Sequence, residues 1–134
     1  MNPYLRNQVM TASPGKLIIM LYDGLIQYME LAQDGFLEKD LKKRIEVTHE
    51  NLIGAQRILN ELQGSLNMEQ GGEIAVQLRD LYTSYYVTLI QANMLKDSSK
   101  IPPVLRMVRE LREAWCQIVD RPQALVLFSS ASAA

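Results

Sequence analysis

Apolar residues recur at intervals of three and four between residues 40 and 63, which is the spacing of one face of an α-helix. Asp40 stands before the first of them, and Gly64 follows the last, as expected for a helix stop. We therefore predict a helix from Asp40 to about Gln63 with one apolar seam, typical of a helix packed in a bundle. The seam positions are Leu41, Ile45, Thr48, Leu52, Ala55, Leu59 and Leu62.

An earlier helix is predicted to begin at Ser13-Pro14, an N-cap followed by proline at the first helical position, and to run to about Ala32. Its apolar residues exceed one seam, because the unbroken run from Leu17 to Tyr22 covers every direction around the helix axis. A bundle of this size has no central helix to be buried on all sides. A further segment must therefore cover part of this surface, either from an end of the chain or from another protein.

Two more helices follow. The third is predicted from about Glu73 to Lys96, and the fourth begins near Ile101, because Pro102-Pro103 is tolerated only in a first turn, and ends before Pro122. The expected seam of the third helix is Ile74, Leu78, Leu81, Tyr85, Leu89 and Ala92. The expected seam of the fourth is Val104, Val108, Leu111, Trp115 and Ile118.

Four helices with short loops predict an all-α protein, an antiparallel up-down four-helix bundle over residues 13–121. Residues 1–12 are expected to form a short N-terminal cap segment, and residues 122–134 a flexible or docking tail. A frayed end is the more ordinary expectation for such a tail. The alternative is that Leu125, Leu127 and Phe128 dock onto an apolar groove.

The third helix also carries surplus apolar surface, because Tyr82 and Tyr86 share one face at a spacing of four and tyrosine is common at interfaces. A core role is the alternative for these rings, and the sequence does not separate core from groove position by position. Gly24 and Gly54 lie inside helices at a cost of about 1 kcal/mol each, which indicates close approach by another helix or by a client. The candidate client-binding groove comprises Ile18, Leu21, Tyr22, Leu25, Ile26, Met29, Tyr82, Tyr86 and Ile90.

Composition excludes several classes of protein. Fourteen Lys and Arg against fifteen Asp and Glu leave a formal charge of −1, which argues against a nucleic-acid partner. The longest apolar run, Leu17 to Tyr22, is far too short to insert in a membrane, and no signal peptide is evident, so we expect a cytoplasmic protein. The single cysteine, Cys116, excludes an intramolecular disulfide and a multi-cysteine zinc site.

The sequence contains little that would support a catalytic site or a metal site. Glu46 and His49 form one Glu-x-x-His unit, but a di-metal bundle needs two such units and His49 is the only histidine. Cys116 has no neighbouring base, so we expect a packed thiol beside Trp115 instead of a nucleophile. Gly71-Gly72 lacks the residues of a phosphate-binding loop. We predict no catalytic residue, no metal and no cofactor, and hence no enzyme.

Three segments together resemble a known family. The segment from Thr11 to Gly24, TASPGKLIIMLYDG, resembles the opening signature of the flagellar export chaperones of the FliS family, the flagellin chaperones. Asn93 within Gln91-Ala92-Asn93 and the stretch from Leu111 to Trp115 match later motifs of that family in order and spacing. The resemblance covers residues 4 to 120, and the tail after Pro122 lies outside it.

This resemblance implies a small four-helix protein of the bacterial cytosol that holds the disordered C-terminal segment of flagellin, prevents its premature polymerisation and delivers it to the type III export apparatus. It also implies that an N-terminal segment bearing a tyrosine covers the empty groove. That groove cap would be Tyr4, with Leu5, Val9 and Met10 beside it. Other flagellar export or regulatory proteins are further candidate partners, and a weak homodimer stays open. The alternative function is a helical adaptor or regulator that uses the same surface for stable homo-oligomerisation.

Overall fold

The computed structural model describes residues 13–128, and within this range the chain is helical, with four long helices. They are α1 (Pro14–Phe36), α2 (Leu41–Gly64), α3 (Gly72–Leu95) and α4 (Ile101–Ile118). A 3₁₀ turn (Ser98–Lys100) precedes α4, and a short helix, α5 (Pro122–Leu125), follows it. The predicted all-α class is confirmed, and each long helix begins within a few residues of its predicted start.

Local capping explains where the first two helices begin. The side chain of Ser13 accepts a hydrogen bond from the backbone N–H of the third residue of α1 at 3.2 Å, and Asp40 does the same for α2 at 3.1 Å. The end of α1 lies beyond the predicted one, because the N–H of Leu37 donates to the carbonyl of Asp34 at 3.0 Å and closes one more turn. The capping residues Ser13 and Asp40 therefore mark the starts of their helices, whereas the end of α1 lies four residues beyond the predicted Ala32.

The four long helices form a ring in chain order. α1 packs against α2 and α4, and α3 packs against the same two helices, so α1 lies diagonally opposite α3. The contact between α1 and α2 is the most extensive. A methyl group on Gly54 would overlap the ring of Tyr28, and one on Gly24 would lie 2.8 Å from the side chain of Ile58. Close packing of α1 on α2 thus accounts for both interior glycines.

The core follows most of the predicted seams, with corrections at two helix ends. Leu41 and Ile45 are exposed, because the first turns of α2 lie at the open end of the bundle beside the α1–α2 and α3–α4 connections. Ile74 is also exposed and Leu81 is only partly buried, and their neighbours Ala75 and Tyr82 are buried in the seam of α3 in their places. The buried residues of α3 are Ala75, Leu78, Tyr82, Tyr85, Leu89 and Ala92, again at intervals of three and four.

The tail packs onto the other end of the bundle as far as Phe128. The N–H of Asn67, in the α2–α3 loop, donates to the carbonyl of Leu127 at 2.8 Å, and Leu66 pairs with Phe128 in an antiparallel bridge. The ring of Phe128 contacts Trp115 edge to face, with the ring centroids 5.3 Å apart. Of the two alternatives considered for the tail, docking describes residues 122–128.

Candidate functional site

Five of the nine residues predicted to line a client groove lie in the core. They are Ile18, Tyr22, Leu25, Met29 and Tyr82, each with at most 2% of its surface exposed. Residues spaced by three and four along α1 face the ring interior, so this stripe is the central seam of the bundle. These five side chains leave no surface for a client in the described structure, which corrects the groove assigned to them from the sequence.

Three of the buried aromatic side chains form a hydrogen-bonded chain across the bundle. The hydroxyls of Tyr22 and Tyr82 lie 2.6 Å apart, and the indole N–H of Trp115 donates to the Tyr22 hydroxyl at 2.9 Å. Burial raises the pKa of Tyr22 to about 12 and also raises the pKa of Tyr82. Both rings stay neutral at physiological pH, and together they join α1, α3 and α4 through polar groups that no solvent reaches.

The seam between α1 and α4 combines an apolar side chain with two ion pairs. The guanidinium of Arg112 pairs with Asp23, and Arg109 pairs with Glu30 at 3.4 Å. Asp23 raises the pKa of Arg112 by accepting its hydrogen bond. Ile26 lies on the same stripe of α1, three residues after Asp23 and four before Glu30, and is partly exposed. This seam therefore presents one partly exposed isoleucine between two ion pairs.

Leu21 lies on the opposite flank of α1, the one that packs on α2. It precedes Gly24 and Tyr28, which contact α2, by three and seven residues, so all three lie on one face of the helix, and it is partly exposed. Ile58 of α2, which contacts Gly24, is also partly exposed. A second seam with accessible apolar surface therefore runs between α1 and α2.

Tyr86 and Ile90 lie along a third seam, between α2 and α3. Their stripe continues to Thr83, whose hydroxyl accepts from Gln63 of α2 at 3.0 Å. At its other end the side chain of Asn93 lies 2.9 Å from Nδ1 of His49. Tyr86 and Ile90 are each partly exposed between these two polar contacts.

His49 is thus engaged with an amide. No group of three or more metal-ligating side chains occurs within residues 13–128.

The four partly exposed candidates, Leu21, Ile26, Tyr86 and Ile90, therefore occupy three different seams. Since α1 and α3 are diagonal in the ring, their outer flanks cannot line one groove. Each of these four residues instead lies beside a seam between two neighbouring helices. The groove-cap residues Tyr4, Leu5, Val9 and Met10 lie outside the described residues.

One exposed apolar surface was not predicted from the sequence. It lies at the open end of the bundle, where Leu37 is 80% exposed and Leu41 59% exposed. A cavity of about 390 Å³ opens there, lined by Phe36, Leu41, Arg44, Ile45, Thr48 and Lys96. The regular spacing of α2 predicts that Leu41 and Ile45 belong to its buried seam. Both are exposed, because they lie at the end of the bundle, which the spacing does not reveal.

Cys116 also differs from its prediction. The thiol was expected to pack beside Trp115, but Cys116 is exposed, because adjacent positions on a helix point about 100° apart.

The motifs that carried the family resemblance meet in space. Tyr22 and Asp23 of the first motif contact Trp115 and Arg112 of the last one, so the two motifs join α1 to α4. A comparison with protein families agrees, since the model of the family described as Flagellar protein FliS matches residues 1–122. The chain belongs to the FliS family.

Several curated FliS proteins are similar to this chain over most of their length. The flagellar secretion chaperone FliS of Bacillus subtilis is 35% identical over 122 residues, 89% of this chain and 87% of the relative. The protein of the same name from Salmonella typhimurium is 37% identical over 115 residues, 85% of this chain and 82% of the relative. That of Campylobacter jejuni is 32% identical, with 87% and 88% covered.

FliS is a family of chaperones and not of enzymes, and this chain has the export chaperone role that its relatives' shared name describes. Within residues 13–128, no helix is both long and apolar enough to cross a membrane. The FliS match ends at residue 122, where the docked tail begins, so the contacts of residues 123–128 with the bundle lie beyond the matched part of the chain.

Proposed function

We propose that this FliS-family protein binds the disordered C-terminal segment of flagellin in the bacterial cytosol, keeps it from polymerising and delivers it to the flagellar export apparatus. The observation that carries the proposal is the distribution of accessible apolar surface in a chain of this family. Leu21, Ile26 and the pair Tyr86 and Ile90 lie on three seams of one helix ring. A single straight helix cannot touch all three.

A client that is disordered on its own suits such a surface. It can follow the ring and place one amphipathic stretch in each seam, which masks the apolar faces through which its helices would otherwise assemble. Ordering the client opposes binding, so the affinity comes from many modest apolar contacts instead of one deep pocket. The near-neutral charge of the chain agrees with recognition by burial.

The test uses a peptide that covers the C-terminal segment of the flagellin from the same organism. Size-exclusion chromatography with light scattering should show a one-to-one complex. Failure of the folded chain to form it contradicts the flagellin proposal. A stable oligomer that forms without peptide and takes up none would instead support the homo-oligomeric adaptor, the second function considered.

Two variants on one helix locate the contact. Ile90→Asp places a charge in the α2–α3 seam and should abolish or greatly weaken peptide binding, whereas Ser84→Asp changes an exposed residue on another face of α3 and should leave it unchanged. Circular dichroism checks that both variants stay helical, and Ile90→Ala provides a milder change if the charge disturbs folding. Equal affinities for all variants would remove the α2–α3 seam from the binding surface.

The groove cap is part of the proposal. Tyr4, Leu5, Val9 and Met10 precede α1, and we propose that they cover apolar surface while no client is bound. Deleting residues 1–12 should then raise the fluorescence of a hydrophobic dye added to the protein. An unchanged dye signal would show that these residues cover nothing.

A further inference from the structure

The end of the bundle beneath the tail is a continuous apolar surface. It combines the first turn of α1 with the last turn of α4, and the tail lies on it so closely that the remaining space, about 10 Å³, holds at most one water molecule. The residues lining this space are Pro14, Gly15, Ile18, Trp115, Val119, Ala124, Leu125 and Phe128.

The tail meets this surface as an amphipathic segment would. Ala124 and Leu127 are buried and Phe128 is partly buried, and these anchors stand at positions i, i+3 and i+4. Leu125 and Val126, between them, are 41% and 43% exposed. Anchors at i, i+3 and i+4 are those with which a helical peptide binds an apolar groove.

Few contacts hold the tail in place. Among the described residues, the N–H of Asn67 makes the one backbone hydrogen bond between the bundle and residues 122–128 that is not local to the tail. Among residues 13–128, the other contacts that join the tail to the bundle are apolar. Ala124, Leu127 and Phe128 are its most buried side chains, and Leu125 lines the small space beneath it. A segment held by few contacts opens at a low free-energy cost, so another segment with the same apolar pattern can take its place.

We propose that residues 122–128 are a built-in, displaceable occupant of a client subsite at this end of the bundle. The kind of partner that fits is an amphipathic segment with large apolar side chains at i, i+3 and i+4. This inference rests on the proposed function, because the displacing segment belongs to the same flagellin client. The tail thereby sets the affinity of the chaperone by competing with its client.

A matched pair of substitutions tests the competition. Leu127→Asp breaks a buried anchor and should raise the affinity for the flagellin peptide about tenfold, as expected when the open form rises from about a tenth of the molecules to nearly all of them. Val126→Asp adds the same charge at the neighbouring exposed position and should leave the affinity unchanged. Equal affinities of the wild type and Leu127→Asp would overturn the proposal.

A crosslink tests the opposite direction. The hydrogen bond from Asn67 to Leu127 flanks the pair Leu66 and Phe128, so this pair is of the non-hydrogen-bonded kind, with its Cα atoms about 4.5 Å apart, within reach of a disulfide. With Cys116→Ser as background, Leu66→Cys plus Phe128→Cys should bind the peptide at least about tenfold more weakly when oxidised. Reduction should restore binding, and an oxidised form that binds normally would refute displacement.

Amide hydrogen exchange separates failure of this inference from failure of the proposed function. Adding the peptide to the wild type should remove protection from the Asn67 amide, because its acceptor leaves with the tail. Absence of any peptide binding contradicts the proposed function. Normal binding with Asn67 still protected leaves that function standing and contradicts the tail proposal alone.

Discussion

The Tyr22 hydroxyl is the centre of the buried polar chain, and two substitutions of equal size test this position. Tyr82→Phe removes one partner of Tyr22 but leaves its hydroxyl bonded to the Trp115 indole. Tyr22→Phe removes the shared partner and leaves both the Tyr82 hydroxyl and the Trp115 N–H unpaired. Each change deletes a single oxygen atom, so packing is nearly conserved.

The expected losses of stability follow from the groups left behind. A hydrogen bond contributes about 0.5–1.5 kcal/mol, and a buried polar group left unpaired costs about 1–3 kcal/mol. Tyr82→Phe should therefore lower the free energy of unfolding by about 1 kcal/mol, and Tyr22→Phe by about 2–4 kcal/mol. The double variant leaves only the Trp115 N–H without a partner. Its loss of unfolding free energy should therefore be smaller than the sum of the losses in the two single variants.

Urea unfolding followed by far-UV circular dichroism measures these differences, and thermal midpoints should fall by about 4 °C for each kcal/mol. Tyr28→Phe is the control, since its ring is partly exposed and it should change stability by less than about 0.5 kcal/mol. If Tyr22→Phe costs no more than Tyr82→Phe, or if the two losses simply add, Tyr22 is not the shared centre of the chain.

The same residues predict a loss of stability at alkaline pH. An unfolded tyrosine releases its proton near pH 10, whereas burial raises the pKa of Tyr22 to about 12 in the folded protein. The folded state therefore holds the proton more tightly. This stabilisation is complete below pH 10 and falls by about 1.4 kcal/mol per pH unit between pH 10 and 12. The Tyr22→Phe, Tyr82→Phe double variant should show a flatter decline of the urea midpoint than the wild type over this range, and parallel curves would contradict the burial argument.

Two further predictions concern the contacts of α1. Gly54→Ala should destabilise the protein by about 1–3 kcal/mol, because the new methyl group would overlap the ring of Tyr28, whereas Gly64→Ala, with open space around it, should be neutral or stabilising in the same thermal unfolding assay. Similar shifts for both variants would show that α1 and α2 are not closely packed at Gly54. Arg112→Gln should cost at most about 1 kcal/mol, since its pair with Asp23 is largely exposed, and the cost should vanish in about 1 M salt. A loss that persists at high salt would assign Arg112 a packing role instead.

Local chemistry determined what the sequence could predict about the fold. Ser13 and Asp40 cap their helices through contacts three residues away, so their motifs were sufficient to locate the helix starts. The apolar run in α1 was different, because it offers several stripes of equal hydrophobicity. Which stripe faces the core depends on the neighbouring helices, and the ion pairs of Asp23 with Arg112 and of Glu30 with α4 show where one neighbour lies.

The candidate site was less predictable for the same reason. The order of apolar residues along α1 and α3 was enough to show a surplus of apolar surface, but five of the nine residues chosen lie in the core. Tyr82 and Tyr86 share a face by spacing, yet a rotation of 40° between them separates a buried ring from a partly exposed one. The docking of the tail depends on contacts of Phe128 with Leu66 and Trp115. Neither partner belongs to the tail, so the spacing of apolar residues around Phe128 does not reveal these contacts.

An even number of antiparallel helices brings the two ends of the described chain to one pole. Pro14 and Phe128 line the same small space, so a short linker from residue 128 to residue 13 would close the chain into a loop. New termini opened in the turn at residues 37–40 would then stand at the far pole, among exposed residues. Such a circular permutant keeps every helix in its place in the ring. A dye or a surface anchor attached to its new ends would lie at the opposite end of the bundle from the tail.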